Sequence, residues 1–173
     1  MKNLITAKIG ILMLVFLMLS LAIPTALADS PKKIAVTISR AGPSGVPDPN
    51  AWVTDGGVRH VRGEILKFTT YNVKQGNTVL FSGSLETHID YNFNVETGVG
   101  AGLSKAVITL PSGDTFEGKI TSQGVFKVAA SGGTQGVSVK SQGVFHGTGD
   151  YQGWTLQYFS ETGQPTEAYL LIP

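Results

Sequence analysis

Thr78–Glu96 reads TVLFSGSLETHIDYNFNVE, and its alternation decides the fold. Val79, Phe81, Leu85, Ile89, Tyr91, Phe93 and Val95 share one parity. Thr78, Ser82, Ser84, Glu86, His88, Asp90, Asn92, Asn94 and Glu96 share the other, and only Leu80 interrupts it. Successive side chains of a strand point to opposite faces, so the stretch predicts a β-strand with one apolar and one polar face. At about 3.3 Å per residue it would span roughly 60 Å, too long to lie flat in a small domain. A bend or bulge is expected at Gly83, which has no side chain to pack.

Working outward, Lys74-Gln75-Gly76-Asn77 carries the Gly and Asn that suit a tight turn. Val58–Val73 before it is a second long strand of mixed parity, with a bulge expected at Gly63. The two should form an antiparallel hairpin, bringing Glu64 near His88 and His60 near Tyr91 or Asn92. Further strands are predicted at Ile34–Ser39, Lys105–Leu110, Thr115–Thr121, Val125–Ala130, Val137–His146, Tyr151–Phe159 and Thr166–Ile172. Ala41–Asn50 holds Pro43, Pro47 and Pro49 and is expected to be an irregular exposed loop. Trp52 behind it is expected to close one end of the core. Thr97–Gly102 has a G-x-G-x-G look, but a phosphate loop needs a following helix, so a flexible turn is expected. Ser122-Gln123-Gly124-Val125-Phe126 recurs as Ser141-Gln142-Gly143-Val144-Phe145, predicting two like turn-and-strand units. No helical stripe occurs beyond the N-terminal segment. The pattern predicts an all-β, antiparallel up-and-down meander, a closed or nearly closed barrel of about 8–9 strands, with a two-sheet β-sandwich as the alternative.

The first 28 residues read as a secretory signal peptide. Lys2 and Lys8 precede an apolar run from Ile9 to Ile23, and Ala26-Leu27-Ala28 matches a cleavage site. The run is short of the ~20 residues a spanning helix needs. An uncleaved N-terminal anchor is the rival reading, and membrane contact is expected only through that segment. Residues 29–173 then form a single β-barrel domain, secreted or extracytoplasmic. It carries eleven basic and twelve acidic residues, one net negative charge, which argues against nucleic acid as a partner. The chain has no cysteine, which excludes disulfides, thiol catalysis and thiolate metal sites.

Asp114–Phe159 resembles the dirigent and allene oxide cyclase-like β-barrel families. The resemblance rests on Phe116-Glu117-Gly118 and on Val144–Trp154, where a Gly-Thr-Gly-x-aromatic-x-Gly turn joins two strands. It implies a barrel and carries no catalytic residue over.

Glu86, His88 and Asp90 lie at i, i+2, i+4 on the polar face, where imidazole and carboxylates could meet on a zinc or manganese ion or perform acid/base work. His60, Arg62 and Glu64 alternate similarly on the paired strand. His60, Glu64, Glu86, His88 and Asp90 are therefore the catalytic candidates, set against ordinary cross-strand salt bridging. His146 reads as a strand-end polar residue. Tyr151 and Trp154 are candidates for stacking on a small ligand or glycan, set against core packing. No G-x-S-x-G elbow supports Ser-His-Asp catalysis. The expectation is a non-enzymatic domain with a binding or structural role and no cofactor. The alternatives are a small-ligand- or carbohydrate-binding barrel, and a barrel isomerase, cyclase or hydrolase.

Overall fold

Alternation on both members of a hairpin leaves an apolar face that must be buried, and here the sheet buries it by curling on itself. The computed structural model describes residues 30–173; the signal segment lies outside the described residues. Nine strands follow one another: β1 (Lys32–Val46), β2 (Trp52–Val53), β3 (Val58–Gln75), β4 (Thr78–Asn94), β5 (Val99–Thr109), β6 (Thr115–Val128), β7 (Thr134–Gly147), β8 (Thr155–Glu161) and β9 (Glu167–Ile172). From β3 to β9 each strand pairs antiparallel with the next. Lys32–Val36 of β1 pairs with β9, and Thr37–Val46 pairs with β3. That double pairing closes a ring of eight strands, with the two-residue β2 added beside β3. The meander expected from the sequence is thus the fold, and it is nearly barrel-like.

The apolar parity of β4 faces inward. Phe81, Leu85, Ile89 and Phe93 are buried, as are Phe116, Phe145, Leu156 and Leu170 on β6, β7, β8 and β9. One core cluster runs from Ile34 and Val73 through Ile108, Phe116 and Leu170, and a smaller one joins Val61, Phe93 and Phe126. Between them the inward positions are small: Ser104, Ser122 and Gly143. The tyrosines use that space. A Cβ at Gly102 would collide with the Tyr91 ring, and one at Gly143 with the Tyr158 ring.

Two bulges on β3 explain its mixed parity, and a third lies on β4. The register shifts at Gly63, at Thr69–Thr70 and beside Leu80. Each extra residue flips the faces that follow it. Val61 is inward before Gly63; Leu66 and Phe68 are inward after it; Tyr71 and Val73 are inward after Thr69–Thr70. Gly63 adopts φ +85°, a region open chiefly to glycine. The bulge expected at Gly83 lies opposite it, on β3, because Gly83 itself sits against the backbone of Thr109 with no room for a Cβ. Leu80 interrupts the polar parity because it is the unpaired residue of the third bulge.

Several expected boundaries are corrected. Residues 41–46 are strand despite Pro43: beyond Val36, β1 has a strand on one side only among the described residues, where a missing N–H is tolerated. Residues 99–102 are strand too, because Gly100 and Gly102 are the inward positions over which Phe93 and Tyr91 pack. Thr115–Thr121 and Val125–Ala130 merge into β6. The repeated pentapeptides lie inside strands, not at turns, and meet across β6 and β7 where Ser122 Oγ lies 2.9 Å from Ser141 Oγ. Gly149–Tyr151 is a single 3₁₀ turn, so β8 begins at Thr155.

Leu170 is fully buried on β9, between the strands that close the ring. Leu170→Ala should cost about 2–5 kcal/mol in urea unfolding. A loss below about 1 kcal/mol would mean that β9 is not packed into the barrel interior.

Candidate functional site

Cross-strand partners share a face, so the register maps every candidate. The polar parity of β4 is the outside of the barrel. Glu86 is the hub of one external group: Lys67 Nζ lies 2.6 Å from its Oε2 and His88 Nε2 lies 2.8 Å from its Oε1. The Lys67 bond, and then the His88 bond, hold the Glu86 carboxyl below its ordinary value. His88 faces Ile65 on β3 and Lys105 on β5.

Asp90 does not join that group. Its Oδ1 accepts the Gly63 N–H at 2.9 Å, satisfying a donor that the bulge takes out of the ladder. Glu64 is also elsewhere, a correction to the expected neighbourhood with His88. The Gly63 bulge turns Glu64 inward opposite Ile89, where both carboxylate oxygens accept the Thr134 N–H at 2.9 and 3.0 Å. That bond ties the β6–β7 tip across one end of the barrel, and Arg59 Nη2 adds a bond to Gly132 O at 3.1 Å. Among the described residues, no three His, Asp or Glu side chains converge as metal ligands would.

His60 lies opposite Asn92, as the hairpin predicts, with Nδ1 2.7 Å from Asn92 Oδ1. Arg62 Nη2 donates to the same oxygen at 2.8 Å. Trp52 stacks on the His60 ring, centroids 4.8 Å apart, with the Arg62 guanidinium 5.8 Å from the indole. Trp52 therefore does not close the core. β2 pairs with β3 through Trp52↔His60, and His60 is on the outer parity, so the indole stays 48% exposed.

Tyr151 and Trp154 flank the 3₁₀ turn at the opposite end and pack edge to face, centroids 5.2 Å apart. The Tyr151 ring also meets Phe81 and Phe116 at 5.8 and 5.3 Å. Both aromatics pack against the main core cluster. His146 is exposed, with Nδ1 3.2 Å from Thr155 Oγ1.

A recess of about 850 Å³ crosses β5 to β9 instead. Its side-chain lining is mostly of outward parity: Thr121, Gln123, Gln142, Phe159 and the Lys140–Glu161 ion pair at 3.2 Å. Register sets the row Thr121–Gln142–Phe159–Glu167 across four neighbouring strands. The β8–β9 turn adds Gln164 and Pro165. Phe159 is half exposed there. The sequence pointed to Tyr151 and Trp154 as aromatic platforms, and Phe159 went unsingled. Its signal was alternation in β8, where Leu156 and Tyr158 point inward and Phe159 must point out.

Compared with protein-family models, curated proteins and solved structures, the chain matches none.

Two measurements check this arrangement. Glu86 carries a lowered pKa, so its pairing contributes to stability above its ordinary range and is lost as pH falls through the folded value. Lys67→Met should raise the Glu86 midpoint toward its ordinary 4.5 in a carboxyl-carbon NMR titration. An unmoved midpoint would remove Lys67 as the main cause. Glu64→Ala should strip hydrogen-exchange protection from the Thr134 amide by about tenfold or more while β4 amides stay protected. Equal protection would show that the tip is held without Glu64.

Proposed function

We propose that the chain works outside the cytoplasm as a non-enzymatic binding barrel, with the recess around Phe159 as its ligand site. The signal-like N-terminus supports the location. The observation that carries the binding role is Phe159, an outward aromatic left half exposed in a recess ringed by amides and one ion pair.

A phenyl ring facing water gains on being covered, at roughly 25 cal/mol per Å² of apolar area. Gln123, Gln142 and Gln164 each offer two donors and an acceptor. Adjacent hydroxyls of a sugar match an amide in pairs, and the C–H face of the ring can lie on Phe159. The recess holds roughly the volume typical of a small-ligand site. Gln123 and Gln142 stand on β-strands, so their backbone is positioned before the ligand arrives and the ordering cost is reduced. A hydroxyl-rich ligand such as a short glycan fits this lining.

A screen of immobilised glycans, followed by titration of the best binder, tests the reading. Phe159→Ala should weaken binding by about tenfold or more, and Gln142→Ala by a few-fold. The fold should hold, because an exposed side chain usually changes stability by about 0.5 kcal/mol or less. Binding unchanged in Phe159→Ala, or no glycan bound at all, would overturn the proposal.

A further inference from the structure

We propose that the side of the barrel between β1 and the β8–β9 turn is a second binding site, where Arg40 takes the carboxylate of a small organic acid. It lies on the inner face of the wall, distinct from the outer recess, and does not depend on the glycan reading.

β1 pairs with β9 only through Val36. From Thr37 to Val46 its strand partner among the described residues is β3 alone, so among them no strand lies on the other edge. Arg40 stands on that free stretch. Its register partner is Tyr71, which is buried inside the barrel, so Arg40 has the inward parity of Ile34, Val36 and Ile38. Exposure along that row rises from buried Val36 through half-buried Ile38 to exposed Arg40. An inward side chain can be exposed only where the interior is open to water, and this gradient marks the opening.

The guanidinium lies 5.5 Å from the Phe68 ring centroid, a contact that uses the face of the fork and not the N–H donors at its edge. Among the described residues the ion pairs are Lys67–Glu86, His88–Glu86 and Lys140–Glu161, and none includes Arg40. Glu64, the inward carboxylate on β3, is occupied by the Thr134 N–H. Arg40 also acts electrostatically on the Tyr71 and Tyr158 phenols. Burial pushes Tyr158 up to about 12 and Tyr71 higher still, so both keep their protons and can donate. Ile38 and Phe68 pack against the main core and form an apolar floor beside the cation.

A planar fork of donors matches a carboxylate in bidentate geometry. The apolar floor of Ile38 and Phe68 suits a hydrocarbon body. A bare inorganic anion would use the fork and waste the floor. A neutral apolar alcohol would use the floor and leave the fork unpaired.

The test is an amide NMR titration of the ¹⁵N-labelled domain with benzoate, with benzyl alcohol and inorganic phosphate run separately. Benzoate should give saturable shifts at Ser39, Ala41 and Asn72 while the Phe159 recess stays unmoved, with phosphate weaker and benzyl alcohol silent. Arg40→Gln should weaken benzoate by about tenfold or more, and Arg40→Lys should recover only part of the loss. Arg40 is exposed, so the Arg40→Gln spectrum should otherwise match the parent. No saturable shift, equal shifts in Arg40→Gln, or phosphate binding as tightly as benzoate would each overturn the assignment.

Discussion

The structure depends on β1 serving two neighbours. Its first residues complete a ladder with β9 and the rest complete one with β3. Without that sharing the meander would be an open sheet with two unpaired edges and an uncovered apolar face. Ring closure makes one face an interior of limited width, so each inward position must be apolar, small or specifically bonded. The large rings of Phe116, Phe145 and Tyr71 fill one part, and Ser104, Ser122 and Gly143 thin out the next. The sharing also leaves part of β1 with a free edge. Closure and opening thus have one origin, the staggered pairing of a single long strand.

Bulges distribute chemistry between the two faces. A β3 with Gly63 in regular register would keep His60, Arg62 and Glu64 together on the outside. With it, Arg62 goes to Asn92 and Glu64 goes inside to hold the β6–β7 tip. Asp90 is drawn in to satisfy the Gly63 N–H. What looks like a five-residue polar cluster is thus divided into four separate arrangements around one glycine at positive φ. Two of these polar groups, Asp90 and Glu64, are engaged in keeping backbone N–H groups satisfied.

Much of the fold was legible because alternation is a local property with a direct physical cause. The apolar set of β4, the turn at Gly76–Asn77 and the antiparallel pairing of β3 with β4 all follow from period two and a tight turn. The recess was not legible. Thr121, Gln142, Phe159 and Glu167 are far apart in the chain and become neighbours only through the register of β6 to β9. Trp52 was misplaced for a related reason. Its neighbours in sequence suggest the end of a core, but its cross-strand partner His60 puts it outside.

The sequence by itself determined the all-β class, the antiparallel meander and the apolar face of each clear strand. These depend on spacing, which the backbone converts to geometry within a few residues. The tertiary structure decided which face became the interior of a ring and where three bulges exchanged the faces. It also decided which distant side chains share a row. Those outcomes depend on register and closure, and a one-residue slip in register sends every following side chain to the other face.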